Sequence, residues 1–288
     1  MADNFELLKK LRLETGAGIS SCQKALKETN NNYNEAVMLL RKQGAAKAMS
    51  KTDRIVSDGL CGIGINQDCV VVVKLCCETD FVARNEKFQN LLSDITNVAL
   101  KIKESSIDEL LQQSINGKSI KDLITECIST IGENIVLQNV KKITINSDER
   151  VSYYIHNKVK NYNLGRIISL TVSKGCSNTE SSSLLLNQIN MHIAAMSPIA
   201  LDSNSVPTDV IAKEKSIYEE QVSKLNKPKE IEEKMIAGKL KKFYEENVLL
   251  DQIFVIDNKT PIANVIANFN KENSENLELV SFFRISIQ

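Results

Sequence analysis

At 288 residues and 42% hydrophobic side chains, the chain can bury more than one core, because domains typically hold roughly 100 to 200 residues. Lys plus Arg and Asp plus Glu balance at 36 each, which gives no overall attraction for nucleic acid or an anionic membrane surface. Aromatics make up 5% and Trp is absent, which argues against a base-stacking platform.

The seven cysteines fall at 22, 61, 69, 76, 77, 127 and 176 with no CxxC pair, the pattern of neither a disulfide ladder nor a zinc site. They read as buried, reduced thiols of a cytosolic protein, with Cys76 and Cys77 on opposite faces of a strand. The opening MADNFELLKKLRLETG lacks the apolar core of a signal peptide, and no run approaches the roughly 20 apolar residues of a membrane span.

Asn4 can cap a first helix carrying Phe5, Leu7, Leu8 and Leu11 on one side, with Gly16 stopping it. A second helix from about Ser20 or Ser21 turns Cys22, Ala25 and Leu26 inward, and NNNYN breaks it. A third carries Ala36, Val37, Leu39 and Leu40 up to Gly44, which makes a small three-helix bundle with a barely sufficient core. AAKAMSKTDR, residues 45–54, reads as a linker with helical leaning.

Beyond it the period changes to two. IVSDGLCGIGI and CVVVVKLCCE flank the turn NQD and predict a β-hairpin. A helix is expected from Phe81 through Phe88, Leu91, Leu92, Ile95, Val98 and Ala99, then a shorter one near Lys118 to Ile131 and a strand in ENIVLQNVKKITI. VSYYIHNKV and GRIISLTVS predict two more strands, followed by a helix from about Ser181 to Met196 with Leu184, Leu185, Ile189 and Ile193 inward. The order strand, strand, helix thus occurs twice, suggesting two α+β units in tandem by topology alone.

Pro207 opens a helix with Ile211, Tyr218, Val222 and Leu225 in a seam, NKP reverses the chain, and a second helix from Pro228 returns with Ile231, Met235 and Phe243. The heavily charged outer faces suggest a projecting antiparallel helical hairpin, and an amphipathic pair packed on the core is the plainer alternative. A helix near Pro261 to Phe269 and a last strand, LVSFFRISI, complete the chain.

Chemistry-bearing motifs are sparse. There is no GxxxxGK[ST] phosphate loop and no GxSxG elbow. GIGI at Gly62 to Ile65 lacks the third glycine and following helix of a dinucleotide fingerprint, and reads as a bulge or a close approach of backbones. His156 and His192 are the only histidines, and no nucleophile motif accompanies either.

One stretch stands at the lip of the core. In CCETDFVARNEKFQ, Asp80 and Phe81 stand side by side where a strand ends. Asp80 can be read as a helix cap and Phe81 as a staple to the core. Together with LRLETGAGISSCQKAL, IGENI at 131–135 and NKPKEIEEKMIAGKLKKF, this stretch resembles the elongation factor Ts family, the guanine nucleotide exchange factors for elongation factor Tu. The resemblance runs in order from the first helix to the last strand.

The resemblance implies an α+β fold with an N-terminal ubiquitin-associated-like three-helix bundle and linker over 1–54. A core N-terminal subdomain over 55–148 and the first part of a core C-terminal subdomain over 149–200 follow, with antiparallel sheets. A helical hairpin of dimerisation type over 201–246 and a core completion with C-terminal docking module over 247–288 complete it. It further implies an exchange factor with no bond-making chemistry, no cofactor, no metal, no catalytic residue and no direct nucleotide binding. Its partner would be elongation factor Tu, with a homodimer or heterotetramer through the hairpin left open; no membrane partner is expected, and the balanced charge disfavours nucleic acid. Localisation would be the bacterial cytoplasm.

The implied partner-binding turn is Thr79, Asp80, Phe81 and Val82, pushed into the partner near its magnesium site. Arg12, Ile19, Ser20, Ile135 and His156 are implied as further contacts, and His192 as structural. Ile19-Ser20 stands where the family commonly has two methionines, and Gln188 where it often has His. Two other functions are open to the residues. One is an interaction scaffold using only the first bundle, and the other is a thiol enzyme using a low-pKa Cys76 or Cys77.

Overall fold

The computed structural model describes residues 2–103, 106–225 and 228–287. In chain order they form α1 (Ala2–Thr15), α2 (Ile19–Glu28), α3 (Tyr33–Met49), β1 (Asp58–Ile65), β2 (Cys69–Cys77), α4 (Asp80–Ala83), α5 (Glu86–Ala99) and α6 (Ile107–Gln112). There follow β3 (Ser114–Ile115), β4 (Lys118–Ser119), α7 (Ile120–Ile131), β5 (Ile135–Thr144), β6 (Glu149–His156), β7 (Leu164–Gly165), β8 (Ile167–Lys174) and α8 (Glu180–Met196). The chain ends with α9 (Thr208–Ser223), α10 (Lys229–Asn247), α11 (Ile262–Asn273) and β9 (Glu278–Ser286). This is an α+β protein with antiparallel pairing and a helical N-terminal segment.

The chain divides into two compact units. One holds Met1–Thr144, Asn157–Ile168 and Ile285–Gln288, the other Ile145–His156 and Ser169–Arg284. In the first, α1, α2 and α3 enclose Leu11, Cys22, Ala25, Leu26, Ala36, Val37 and Leu40. Helix α1 already begins at Ala2, so Asn4 lies inside its first turn instead of at the N-cap, and its side chain is outside the described residues. Phe5 is exposed and takes no part in the stripe. Asn30 and Asn31 adopt left-handed backbone, and the Asn32 side chain accepts from Glu35 N to start α3. That helix does not stop at Gly44 but absorbs half of the expected linker. Gly44 faces α7, where an added Cβ would lie 2.9 Å from Ser129 Oγ, so the small residue lets two helices approach.

The four-stranded sheet has the order β5-β2-β1-β7. β1 and β2 pair without interruption from Asp58↔Cys77 to Ile65↔Val70, and the turn between them is tied by Asn66 Oδ1, which accepts from the Asp68 and Cys69 amides. GIGI therefore contains no bulge. The close neighbour at Gly62 is the Thr96 side chain of α5, not a second backbone. One face of the sheet packs Val71, Val73, Leu75 and Cys77 against Phe88, Leu92 and Ile95 of α5 and Ile120 and Ile124 of α7. The expected helix from Phe81 to Ala99 is two helices, α4 and α5, separated at Arg84-Asn85, because Asn85 turns its side chain to accept from Lys87 N and starts α5 anew.

In the second unit the strands run β6-β8-β9. Thr179 and Ser182 form a reciprocal cap at the start of α8, whose Leu185, Leu186, Ile189 and Ile193 pack with Leu249, Phe254, Ile262 and Ile266. Leu185, Ile189 and Ile193 face inward as expected, but Leu184 is exposed and Leu186 takes its place. His192 is fully buried: Nε2 lies 2.9 Å from Gln252 Oε1 and Nδ1 accepts from Val255 N at 3.3 Å. Burial lowers its pKa, against the Gln252 hydrogen bond, so the ring is a neutral packing group with its proton on Nε2. Helices α9 and α10 bury Val222 and Phe243, and Lys239 Nζ reaches Gln221 Oε1 across the pair at 2.8 Å. Leu225 and Ile231, expected in the seam, are about half exposed, and the NKP reversal at Asn226 and Lys227 lies outside the described residues.

Candidate functional site

The TDFV stretch forms a protruding turn in the first unit. β2 ends at Cys77, and Thr79 follows in extended backbone (φ −131°, ψ 161°) as the N-cap of α4. A single helical turn advances about 100° per residue, so only part of it can face the core. Val82 and Ala83 take that side and are buried in the sheet core. Phe81 is thereby turned to solvent and is 80% exposed.

Asp80 is the first helical residue, not the cap, and its Oδ2 lies 2.8 Å from Arg84 Nη2. A carboxylate there also suits the positive end of the turn. Phe81 does not staple the helix to the core. An exposed Phe forgoes about 1.5–3 kcal/mol of burial.

The Thr79 side chain does not cap α4. Its hydroxyl donates to Glu133 Oε1 at 2.7 Å and its amide donates to Glu133 Oε2 at 2.9 Å. Glu133 belongs to the segment after α7, which ends in left-handed Gly132 (φ 96°) and continues through buried Asn134. The Asn134 amide donates to Glu78 Oε1 at 2.6 Å, and its Nδ2 donates to the carbonyls of Thr52 and Arg54. Lys51 Nζ donates to the Gly132 carbonyl. Sequence reading missed Glu133, Asn134 and Glu78. The signal available was the polar pair placed directly after a glycine at a helix C-terminus, in the IGENI stretch already singled out.

The remaining candidates separate by exposure. Arg12 on α1 and Ile19 and Ser20 at the start of α2 are exposed in the same unit as the turn. His156 is exposed in the other unit, with Nδ1 3.2 Å from Tyr154 Oη. Ile135, at 3% exposure, sits in the sheet core in one cluster with Ile124 and Ile128 of α7. Val82 is likewise a core residue that anchors the turn. Gln188 on α8 is half-buried.

The thiols do not support thiol chemistry. Cys77 is buried, and burial, then Asp58, Glu133 and Cys76, push its pKa to about 12. Burial also raises Cys76, whose Sγ lies 3.2 Å from Gln138 Oε1. A thiolate reagent near neutral pH is expected to modify half-buried Cys176 first and to reach Cys76 and Cys77 only as the protein unfolds, read by peptide mapping. Rapid native labelling of Cys77 would contradict this. Among the described residues, no helix is long and apolar enough to cross a membrane.

The family model described as Elongation factor TS matches residues 78–288. Over 283 residues the chain is 38% identical to "Elongation factor Ts" of Ehrlichia canis (strain Jake), covering 98% of each chain. It is 38% identical over 282 residues to "Elongation factor Ts" of Rickettsia bellii (strain OSU 85-389), covering 97% of this chain and 90% of that one. To the protein of the same name from Orientia tsutsugamushi (strain Boryong) it is 37% identical over 279 residues, covering 97% and 90%. The chain belongs to the elongation factor Ts family.

Proposed function

We propose that this protein is the guanine nucleotide exchange factor of translation elongation: it binds elongation factor Tu·GDP, inserts the Thr79–Val82 turn near the partner's magnesium site and stabilises the nucleotide-free partner until GTP binds. The observation that carries this reading is Phe81, held out to solvent on a helical turn whose other side is buried. A ring presented in this way regains its burial only in a partner. Disturbing the magnesium site removes the counter-charge of the GDP phosphates and so weakens GDP.

No bond is made or broken in this cycle. The factor favours the empty partner over the GDP-bound one, and by linkage GDP weakens the factor by the same ratio. Each tenfold of mutual weakening corresponds to about 1.4 kcal/mol. The GDP/GTP equilibrium itself is unchanged, and exchange accelerates because the empty intermediate is stabilised.

Asp80 and Phe81 are the intruding pair, Thr79 and Val82 their mount, and exposed Arg12, Ile19, Ser20 and His156 outer contacts. The helices of residues 1–54 act as a ubiquitin-associated-like docking bundle. Residues 201–246 form the hairpin through which a second copy can associate, and residues 247–288 a C-terminal docking module. The protein works in the bacterial cytoplasm without a cofactor.

The deciding experiment is release of a fluorescent GDP analogue from elongation factor Tu, chased with excess GTP. Acceleration that saturates with added protein is the expected result. An unchanged release rate at every concentration would overturn the proposal.

A further inference from the structure

We propose that Gly132-Glu133-Asn134 is a clasp that sets the direction of Phe81, with Glu133 the positioning residue for exchange. This rests on the function proposed above for the same turn. Helix α4 is weak by itself. It comprises only Asp80–Ala83, and a lone turn is on the unfavourable side of helix nucleation. Its first hydrogen bond, Ala83 N to Thr79 O, is long at 3.4 Å, and it has no side-chain cap. Burial of Val82 and Ala83 fixes one side of the turn but leaves its entry free to swing.

Glu133 removes that freedom. Both carboxylate oxygens accept from Thr79, one from its amide and one from its hydroxyl, an arrangement with the directionality of a bidentate, charge-assisted pair. The flanking residue Glu78 is held in turn, by the Asn134 amide and by Arg54, whose Nη1 lies 3.5 Å from Glu78 Oε1. Asn134 Nδ2 and Lys51 Nζ then join the segment to the chain leaving α3, at Thr52 O, Arg54 O and Gly132 O. Three stretches far apart in sequence meet at one polar knot, and the residue they lock stands two positions before Phe81. Since Phe81 is 80% exposed, its direction is governed by its backbone. A probe with a fixed backbone meets its target without first losing conformational freedom.

The test uses the full-length protein carrying Glu133→Ala, Glu133→Gln or Thr79→Val. A glutamine can still accept from the Thr79 amide and donate to its hydroxyl, so Glu133→Gln should retain wild-type behaviour within about threefold, whereas Glu133→Ala loses both contacts. In the free protein, Glu133→Ala should speed hydrogen exchange of the Ala83, Arg84 and Asn85 amides, which donate to the carbonyls of Thr79, Asp80 and Val82, about tenfold with protection of β1 and β2 unchanged. In the GDP-release assay its maximal acceleration should fall about tenfold.

Thr79→Val, which loses only the hydroxyl bond, should fall between, and it decides the matter if Glu133→Ala does not fold. Unchanged amide protection in the alanine variant would sink the clasp, as would loosened amides with undiminished exchange. Equal loss in Glu133→Gln would assign the effect to charge and not to position. Failure of the wild-type protein to accelerate GDP release would instead refute the exchange function, leaving the amide measurement to judge the clasp alone.

Discussion

Replacing Phe81 with alanine is expected to lower the acceleration of GDP release by at least about tenfold while leaving the melting temperature almost unchanged. The ring is 80% exposed in the free protein, so removing it creates no cavity, and substitutions at such surface positions usually stay within about 0.5 kcal/mol. In the complex the same ring would be buried, and burying a Phe is worth about 1.5–3 kcal/mol, or roughly 10- to 150-fold. The two readings of this residue therefore predict opposite outcomes.

A staple to the core would lose stability and leave the exchange rate per folded molecule intact; a wedge does the reverse. Asp80→Ala forfeits the ion pair to Arg84, whose two side chains are 42% and 79% exposed, and a pair so exposed contributes about 0–1 kcal/mol to stability. Any larger exchange defect there belongs to the partner's site. Val82→Ala is the converse control: Val82 is buried, and the variant should destabilise the turn's anchor. Equal exchange by Phe81→Ala and wild type would remove the turn from the mechanism.

The largest effect on the fold is expected at Gly59, where β1 begins to pair with the end of β2. Its φ of +147° lies where L side chains are strained, and a Cβ added there would stand 2.2 Å from the Leu75 carbonyl oxygen and 2.8 Å from Cys76 Cα. Both neighbours are backbone of the adjacent strand, so nothing can rotate aside. Gly59→Ala should cost about 3 kcal/mol or more, from backbone strain and overpacking together.

That loss would appear as a lower denaturant midpoint or as insoluble protein. Gly117→Ala is the matched control. Gly117 also has positive φ (+81°), but no atom stands within 4 Å of the added carbon, so only the conformational cost of about 1–2 kcal/mol applies. A midpoint for Gly59→Ala equal to that of Gly117→Ala would show that the strands part readily at this edge. Because Gly59 pairs with Cys76, three residues before Thr79, the same variant should also disturb the exchange turn.

Much was written in local patterns. The alternation in CVVVVKLCC predicted β2, the turn residues NQD predicted its partner, and the strand, strand, helix order recurs as β1, β2, α5 and β6, β8, α8. Residues capable of local hydrogen bonds misled at boundaries. Asn85 restarts a helix that periodicity ran through, and Gly44 continues one that it was expected to stop, because Ser129 of α7 lies against it. The stripe on α8 was misassigned by one residue at Leu184, since three successive leucines give a periodic argument no preferred phase.

By itself, the sequence determined the α+β class, the burial of the cysteines on β2, the structural role of His192 and the family. Each depends on the period of apolar residues, on composition or on a contiguous motif, all of which are local properties of the chain. Only the tertiary structure decided what TDFV presents. That Phe81 faces water while Val82 faces the core follows from the phase of one helical turn against the β2 sheet, and the burial of Ile135 follows from the packing of the sheet with α7. The grip of Glu133 on Thr79 joins residues 54 apart in sequence, and no local pattern encodes it, because it exists only once β2 and α7 have packed on the same core.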